Sequence, residues 1–588
     1  MRKLFFVFGF FASLSIFGQV GIGTTNPEGA LDVTTTNDLG FVLPRVSSVA
    51  NVTDGNGGSP VNGTMVFDIS KAMPCVYTDG KWVCFGFDSG WNVTIVDGTP
   101  TAFSTAQLYF KASNTDAGDQ FGNNVVLSDD GLTMAIAAPR EESLSDGVNG
   151  NQLDNSAANV GAVFIFVNNS GTWSQEAYIK SSNSDDGDFF GRSISLSADG
   201  NVLVVGAPQE DSAATTINGN QNDNSATGAG AVYVFQRSGT TWSQTAYLKP
   251  SNAQAADNFG QNVSVSDDGL TVAVASPRED SGATGINGNS FDNSRSDAGA
   301  AYVFVNSGGV WSQEAYVKAS NTEAGDSFGT DLSLDGSGDL LVVSATGEDG
   351  NSNGLGGNQF DNSASGSGAV YVFRRSGVWS QEVYIKASNT DAGDEFGANV
   401  AVSQDGSTIA VAAWAEDSNA TGINGNQTDN TNTSSGAVYV FSYSGVWGQE
   451  AYVKASNSDP LDYFGYGGIS LSADGSRLAV GGYGEDSNAV AIDGNATDNS
   501  VNQAGAVHVF NKVASTWNIG PYVKSLNTGI GDWFGGYNLS GYNVISLSAD
   551  GTLLAVGATS EDSSATGIGG DQTDNSFSAA GAVYLYED

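Results

Sequence analysis

Histidine, cysteine and basic side chains are nearly missing from this chain: 588 residues contain 1 His, 2 Cys and 21 Lys plus Arg. With His508 alone, no Ser–His or Cys–His catalytic arrangement can be assembled. It lies in a Gly-Ala-Val-His-Val-Phe run where equivalent runs carry Tyr or Phe, so it reads as a packing residue. The shortage of basic groups against 64 Asp plus Glu leaves a net charge of −43. Such a field disfavours nucleic acid and anionic membranes and favours cations. Proline is scarce at 11, no Arg-Gly-Asp occurs, and no segment after the first few residues is apolar enough to cross a bilayer. Glycine is abundant at 78, and aromatic and β-branched residues are plentiful. That mixture rules out a disordered acidic tail and predicts many short strands joined by Gly/Asn/Asp turns.

Residues 1–18 read as a secretory signal, with Arg2 and Lys3 before the apolar stretch from Leu4 to Phe17. Export to the periplasm, the cell surface or the medium is expected. The cysteines, Cys75 and Cys84, flank an Asp79-Gly80 hairpin turn. Pairing outward from that turn sets them opposite each other at a non-hydrogen-bonded position, which suits a disulfide in an exported protein. Two thiolates with no nearby His make an incomplete metal shell.

Self-comparison organises the rest. Phe-Gly recurs at Phe121, Phe190, Phe259, Phe328, Phe396, Phe464 and Phe534, at spacings of 69, 69, 69, 68, 68 and 70 residues. Each repeat holds four apolar runs of strand length. In the second repeat these are Phe190 to Ser197, Val202 to Pro208, Gly230 to Phe235 and Trp242 to Lys249. Four antiparallel strands per unit and seven units predict an all-β, seven-bladed propeller, a closed ring that hides sheet edges. The last repeat stops at its third run, Gly581 to Tyr586, whereas a spare fourth run, Ala106 to Lys111, precedes the first Phe-Gly. The expected closure places this N-terminal strand on the edge of the last blade.

Phe190-Gly191 followed by Gly206-Ala207-Pro208 resembles the FG-GAP repeat of the integrin α-chain propeller and its bacterial relatives, over about residues 103–588. The Gly-Ala-Pro part is degenerate, as in Ala412-Ala413-Trp414. The family often carries an Asp-x-Asp-x-Asp-Gly calcium loop between the first two runs. Here that place holds a tight turn such as Asp199-Gly200, too short to supply the roughly six or more oxygens calcium takes.

Alternation of strand direction puts the short turns on one face of the disc and all the long connections on the other. The long-loop face is therefore the expected binding face, as the integrin resemblance also implies. The loop between runs two and three opens with an acidic pair and closes with Asp-Asn in all seven repeats. Asp211 with Asp223, Asp280 with Asp292, Asp417 with Asp429, Asp486 with Asp498 and Asp562 with Asp574 are the calcium candidates. Two other roles compete: Asp and Asn as loop-shaping side chains, and direct ligand contact. The loop between runs four and one carries a recurrent Lys, Asn and Asp, and the Lys is expected to form a surface ion pair with a recurrent Asp.

Residues 20–84 do not share the repeat. Val20 to Pro27, Gly40 to Arg45, Asn62 to Asp68 and the cysteine hairpin resemble a head module of bacterial surface and tail-fibre-like proteins, which implies a small β-rich module that docks or oligomerises. Residues 85–102 read as a linker. The whole predicts a secreted or surface binding protein with no catalytic role, contacting a protein or glycan. The alternatives are a structural spacer and, last, a carbohydrate-active enzyme. Non-repeated aromatic or charged residues on the long-loop face would favour binding, and a uniformly polar face would favour the spacer. A concave pocket with carboxylates that break the repeat would favour the enzyme.

Overall fold

The computed structural model describes residue 103, residues 107–536 and 543–588, and strand backbone between residues 20 and 97. The expected signal segment lies outside the described residues. The chain divides into two compact units, Met1–Thr101 and Ala102–Asp588.

In the larger unit every regular element is a strand, and seven four-stranded sheets follow one another. The second blade shows the pattern: Ser193–Leu196, Val202–Ala207, Ala231–Ser238 and Thr241–Leu248, antiparallel in chain order from the axis outward. The two middle strands are buried on both faces because each blade is covered by a neighbour on either side, so they read as continuous apolar runs. The outermost strand alternates buried and exposed positions over its first half, as an edge strand does. A β-bulge between Val234 and Phe235 recurs at the equivalent place in blades one to six and twists the outer edge away from flat pairing.

The Phe-Gly dipeptide is a blade-to-blade joint. Phe190 lies edge-on against Tyr233 and Phe235 at 5.4 and 6.1 Å. The backbone of the next joint passes so close that a Cβ on Gly230, itself at φ +80°, would sit 2.0 Å from the Phe259 carbonyl oxygen. Gly581 meets Phe121 in the same way, so the last blade docks on the first with the geometry used everywhere else.

Ring closure follows the expected route. Gln107–Phe110 pairs antiparallel with Ala582–Glu587, with Phe110 opposite Val583 and Tyr109 opposite Tyr584, and completes the seventh sheet. Phe110 is fully buried, edge-on to Phe166 and Trp173 of blade one. A second closure runs round the axis at the short-turn face. Backbone N–H groups of Asp129, Ala198, Asp267, Gly336, Asp405, Ala473 and Ala549 each donate to a carbonyl of the following repeat, and the last of these is Asp129. These seven bonds form an unbroken circle.

In the smaller unit, Met73–Thr78 and Lys81–Phe87 form the expected hairpin, and its backbone register sets Cys75 opposite Cys84. Val93–Asp97, inside the segment expected as a linker, pairs with Lys81–Phe87 and so belongs to this unit's five-stranded sheet.

Candidate functional site

The long loops are built on a buried charge. In blade two, Glu210 is 1% exposed, and its Oε2 accepts from Lys249 Nζ at 3.2 Å and from the Ser212 N–H at 3.1 Å. Its Oε1 accepts from the Tyr247 hydroxyl at 2.9 Å and from Asn183 Nδ2 at 3.1 Å. Asn183 also donates to the Gln221 carbonyl inside the long loop, and its Oδ1 accepts from the Tyr233 hydroxyl at 2.7 Å. One carboxylate thus ties together the long loop, the end of the outer strand and the loop arriving from the previous blade.

The Lys–Glu pair recurs seven times, as Lys111–Glu561, Lys180–Glu141, Lys249–Glu210, Lys318–Glu279, Lys386–Glu348, Lys454–Glu416 and Lys524–Glu485. This corrects the expected surface pair between Lys and Asp. The partner is the first acid of the opening pair, and every one of the lysines is buried. Burial pulls the lysines below their ordinary pKa while the facing glutamate opposes the shift. In blade six His508 replaces the tyrosine equivalent to Tyr233. It sits between Phe464 and Tyr522 with its pKa lowered to about 3 by burial and by Lys524, a neutral packing group.

The recurrent aspartates of the other long loop are also buried: Asp119, Asp188, Asp257, Asp326, Asp394, Asp462 and Asp532. Each accepts the backbone N–H of the residue three positions earlier, as Asp188 does from Asp185 at 3.1 Å. Burial, reinforced by nearby acids, raises Asp188 to about 8 and Asp326 to about 6.

The calcium candidates act as separate loop braces. Oδ1 of Asp211, Asp280, Asp417, Asp486 and Asp562 accepts the N–H of Gly228, Asp297, Ser434, Gln503 and Ala579, at 2.7 to 2.9 Å. The closing acids serve a different bend: Asp223, Asp429 and Asp498 each accept the N–H two residues on, and Asp574 accepts from the Ser564 and Ser576 hydroxyls. Asp292 joins its loop through backbone, its carbonyl accepting from Gly282 at 3.2 Å. Among the described residues no three His, Cys, Asp or Glu side chains converge as a metal ion would require.

Two features break the sevenfold pattern. The first is the axis, where the innermost strands enclose a cavity of about 220 Å³. Ser195, Ser264, Ser333, Ser470 and Ser546 line it, and their hydroxyl oxygens accept backbone N–H groups of neighbouring inner strands. Four carboxylates line it: Asp335 accepts the N–H of Leu340, and Asp267 is raised to about 6 by burial and by the neighbouring Asp129, Asp335 and Asp268. Asp331 is buried and accepts the N–H of Leu332 and of Val400, and Asp129 accepts from Gln404.

The second is an aromatic cluster on the long-loop face across blades five to seven: Trp414, Tyr463, Tyr466, Tyr483 and Trp533. Trp414 lies 4.5 Å from Tyr466 and 5.6 Å from Tyr463. Tyr463 stacks on Tyr483 at 5.0 Å and 12°, and Tyr483 meets Trp533 edge-on at 6.1 Å. All but Tyr483 are half-exposed. Trp414 and Tyr483 occupy the site that is Pro139, Pro208 and Pro277 in the first three repeats, and Tyr466 replaces Asn123, Arg192 or Gln261. Sequence reading passed over this cluster, although the signal was present: Trp414 stands where the Gly-Ala-Pro motif fails. On the same face, the tips of the long loops of blades one, three and four expose Leu153, Phe291 and Phe360 at 86, 71 and 77%.

Two outcomes follow from the buried groups. Glu210→Gln leaves Lys249 buried without its counter-charge and is expected to cost about 3–5 kcal/mol, most of it recovered by the double change Glu210→Gln with Lys249→Met, measured by urea unfolding. The seven aspartates have folded pKa values above their ordinary 3.8, so the folded chain holds protons that the unfolded chain releases. Their stabilising contribution is complete below about pH 4 and is lost as pH climbs through about 6 to 8. The melting temperature is expected to fall over that interval, with a shallower slope in Asp188→Asn.

Comparison with known proteins agrees with this architecture. A family model for the FG-GAP repeat matches residues 173–235, 242–304, 311–373 and 379–441. Each match runs from the outer strand of one blade to the third strand of the next, the offset on which ring closure also depends. A model for a phage tail like trimerisation region matches residues 21–96. No curated protein matches. Similar solved structures include hydrazine synthase of Kuenenia stuttgartiensis, at 13% identity and TM-score 0.40, covering 78% of this chain and 95% of that one. A putative 6-phosphogluconolactonase from Bacteroides uniformis has 11% identity, TM-score 0.38 and coverage of 76% and 95%. The periplasmic gluconolactonase of Pseudomonas aeruginosa has 14% identity, TM-score 0.38 and coverage of 76% and 92%. The chain therefore carries four FG-GAP repeats within a seven-bladed β-propeller, preceded by a phage tail like trimerisation region.

Proposed function

We propose that the chain is an exported binding protein, without catalytic activity, that contacts an extracellular protein or glycan through the long-loop face. The observation that carries this reading is the aromatic cluster of Trp414, Tyr463, Tyr466, Tyr483 and Trp533. A spacer has no use for half-exposed Trp and Tyr confined to three blades, and such residues dominate binding hot spots. The carboxylates at the axis break the repeat, but Asp331, Asp129 and Asp335 are spent on hydrogen bonds, which leaves Asp267 without the second working carboxylate that glycoside hydrolysis uses and favours binding over hydrolysis.

The test compares the two faces. Labelled full-length protein is incubated with cells or extracellular matrix, and the bound fraction is measured. Phe291→Asp with Phe360→Asp, or Trp414→Ala, on the long-loop face is expected to lower it. Val310→Asp with Val378→Asp and Val446→Asp, at exposed positions beside the short turns, is expected to leave it unchanged. The opposite ranking, or no loss in either set, overturns the reading. Calcium enters as an assistant to the loops rather than their main support, since the candidate acids already brace backbone. The bound fraction is therefore expected to be modestly higher in millimolar calcium than in chelator, and an equal fraction removes calcium from this reading.

The N-terminal region is read as the assembly device. A trimer would present three propellers and multiply weak contacts by avidity. A Cys75–Cys84 disulfide would pin its hairpin. Light scattering of the full chain is expected to give three chain masses, with the trimer weakened on reduction. A monomer in non-reducing buffer overturns the assembly.

A further inference from the structure

We propose that the aromatic cluster of blades five to seven is a subsite for a neutral oligosaccharide, an inference that rests on the long-loop face being the binding face. A pyranose ring offers an apolar C–H face and a rim of hydroxyls. Its receptor must supply a rigid aromatic plane beside uncharged hydrogen-bonding groups.

The cluster meets both needs. Its rings are fixed before any ligand arrives. The Trp414 indole N–H donates to Glu395 Oε2 at 2.9 Å, and the Trp533 indole N–H lies 3.4 Å from Gln503 Oε1. Tyr463 and Tyr483 brace each other face to face. Little side-chain entropy is left to lose on binding. The polar groups are the phenols of Tyr463, Tyr466 and Tyr483; burial and the two neighbouring phenols hold Tyr483 well above its ordinary value.

Charge narrows the ligand. No Lys or Arg belongs to the cluster, and the chain carries −43, so sulfated and uronic-acid glycans meet a repulsive field. A caged quaternary ammonium is disfavoured for a different reason. Such a ligand sits among ring faces arranged about a void. Here the Tyr463 and Tyr483 faces cover one another at 12°, and Trp414 and Tyr466 lie 31° apart at 4.5 Å, with no space between them. Ring centroids step 4.5, 5.9 and 6.1 Å from Trp414 through Tyr466 and Tyr483 to Trp533, so the cluster spreads over three blades, which points to an oligosaccharide rather than a monosaccharide.

The experiment titrates full-length protein with neutral hexasaccharides: β-1,4-glucan, β-1,3-glucan, β-1,4-N-acetylglucosamine and α-1,6-mannan, with hexagalacturonate as the acidic control. Binding is followed by tryptophan fluorescence and by calorimetry. At least one neutral hexasaccharide is expected to bind saturably and hexagalacturonate not at all. Trp414→Ala and, separately, Trp533→Ala are expected to weaken binding about tenfold or more, whereas Val310→Asp on the short-turn face leaves it unchanged. Thermal melts identify a variant that has lost its fold, and the second variant then decides. No saturable binding of any neutral sugar, or binding untouched by both tryptophan variants, overturns the proposal. If surface binding still depends on the long-loop face while every sugar fails, the partner is a protein, and the saccharide assignment alone falls. If Phe291→Asp with Phe360→Asp leaves surface binding intact while sugar binding persists, the wider face reading falls.

Discussion

A carboxylate buried with its lysine at the root of every long loop is the constraint on which the rest of the structure depends. Removing two charges from water costs several kcal/mol each, so such a pair is retained only where geometry and extra hydrogen bonds compensate. Glu210 takes four donors from three separate segments: Lys249 and Tyr247 on the outer strand, Asn183 on the incoming loop and the Ser212 N–H of its own loop. The loops are long and rich in glycine, and the apolar residues within them that reach the core are few, such as Ile217 and Ala283. The buried ion supplies the fixed point, and the outward aspartates brace what lies beyond it. The long-loop face inherits its rigidity from these seven anchors.

The parts that follow the repeat and the parts that escape it divide along functional lines. Lys–Glu pairs, Phe-Gly joints, the circle of backbone bonds at the axis and the acids of the loops all recur round the ring, and each has a structural job. Trp414, Tyr466 and Tyr483 stand at positions that are aromatic in no other repeat, and the position of Tyr463 and Trp533 is aromatic elsewhere only at Phe189. A sevenfold ring is thus a scaffold on which a small set of unequal residues marks one sector.

Local chemistry explains what was legible in the sequence. Alternation of apolar runs with Asp-Gly and Ser-Gly turns fixes the strands. The spare run at Ala106 to Lys111 fixes the closure, and Asp79-Gly80 fixes the pairing of Cys75 with Cys84, because each rests on neighbours in the chain. The partner of the recurrent lysine was not legible in the same way. Lys180 and Glu141 are 39 residues apart, and choosing Glu141 over the more numerous aspartates requires knowing which loop turns inward. The linker reading of residues 85–102 missed Val93–Asp97, a short strand whose edge partner, Lys81–Phe87, was already assigned to the hairpin. The aromatic cluster was overlooked because its members come from four stretches of chain, and each alone looks like one degenerate motif.

The strand that seals the last blade is the first blade segment to be synthesised. Gln107–Phe110 finds its partner Ala582–Glu587 only after nearly the whole disc has left the ribosome. Such distant pairing is slow to form, and until it does, the newborn chain carries one orphan edge at each end of an unclosed row of sheets. Any factor that escorts this chain while it folds has that brief interval, and those two edges, to guard.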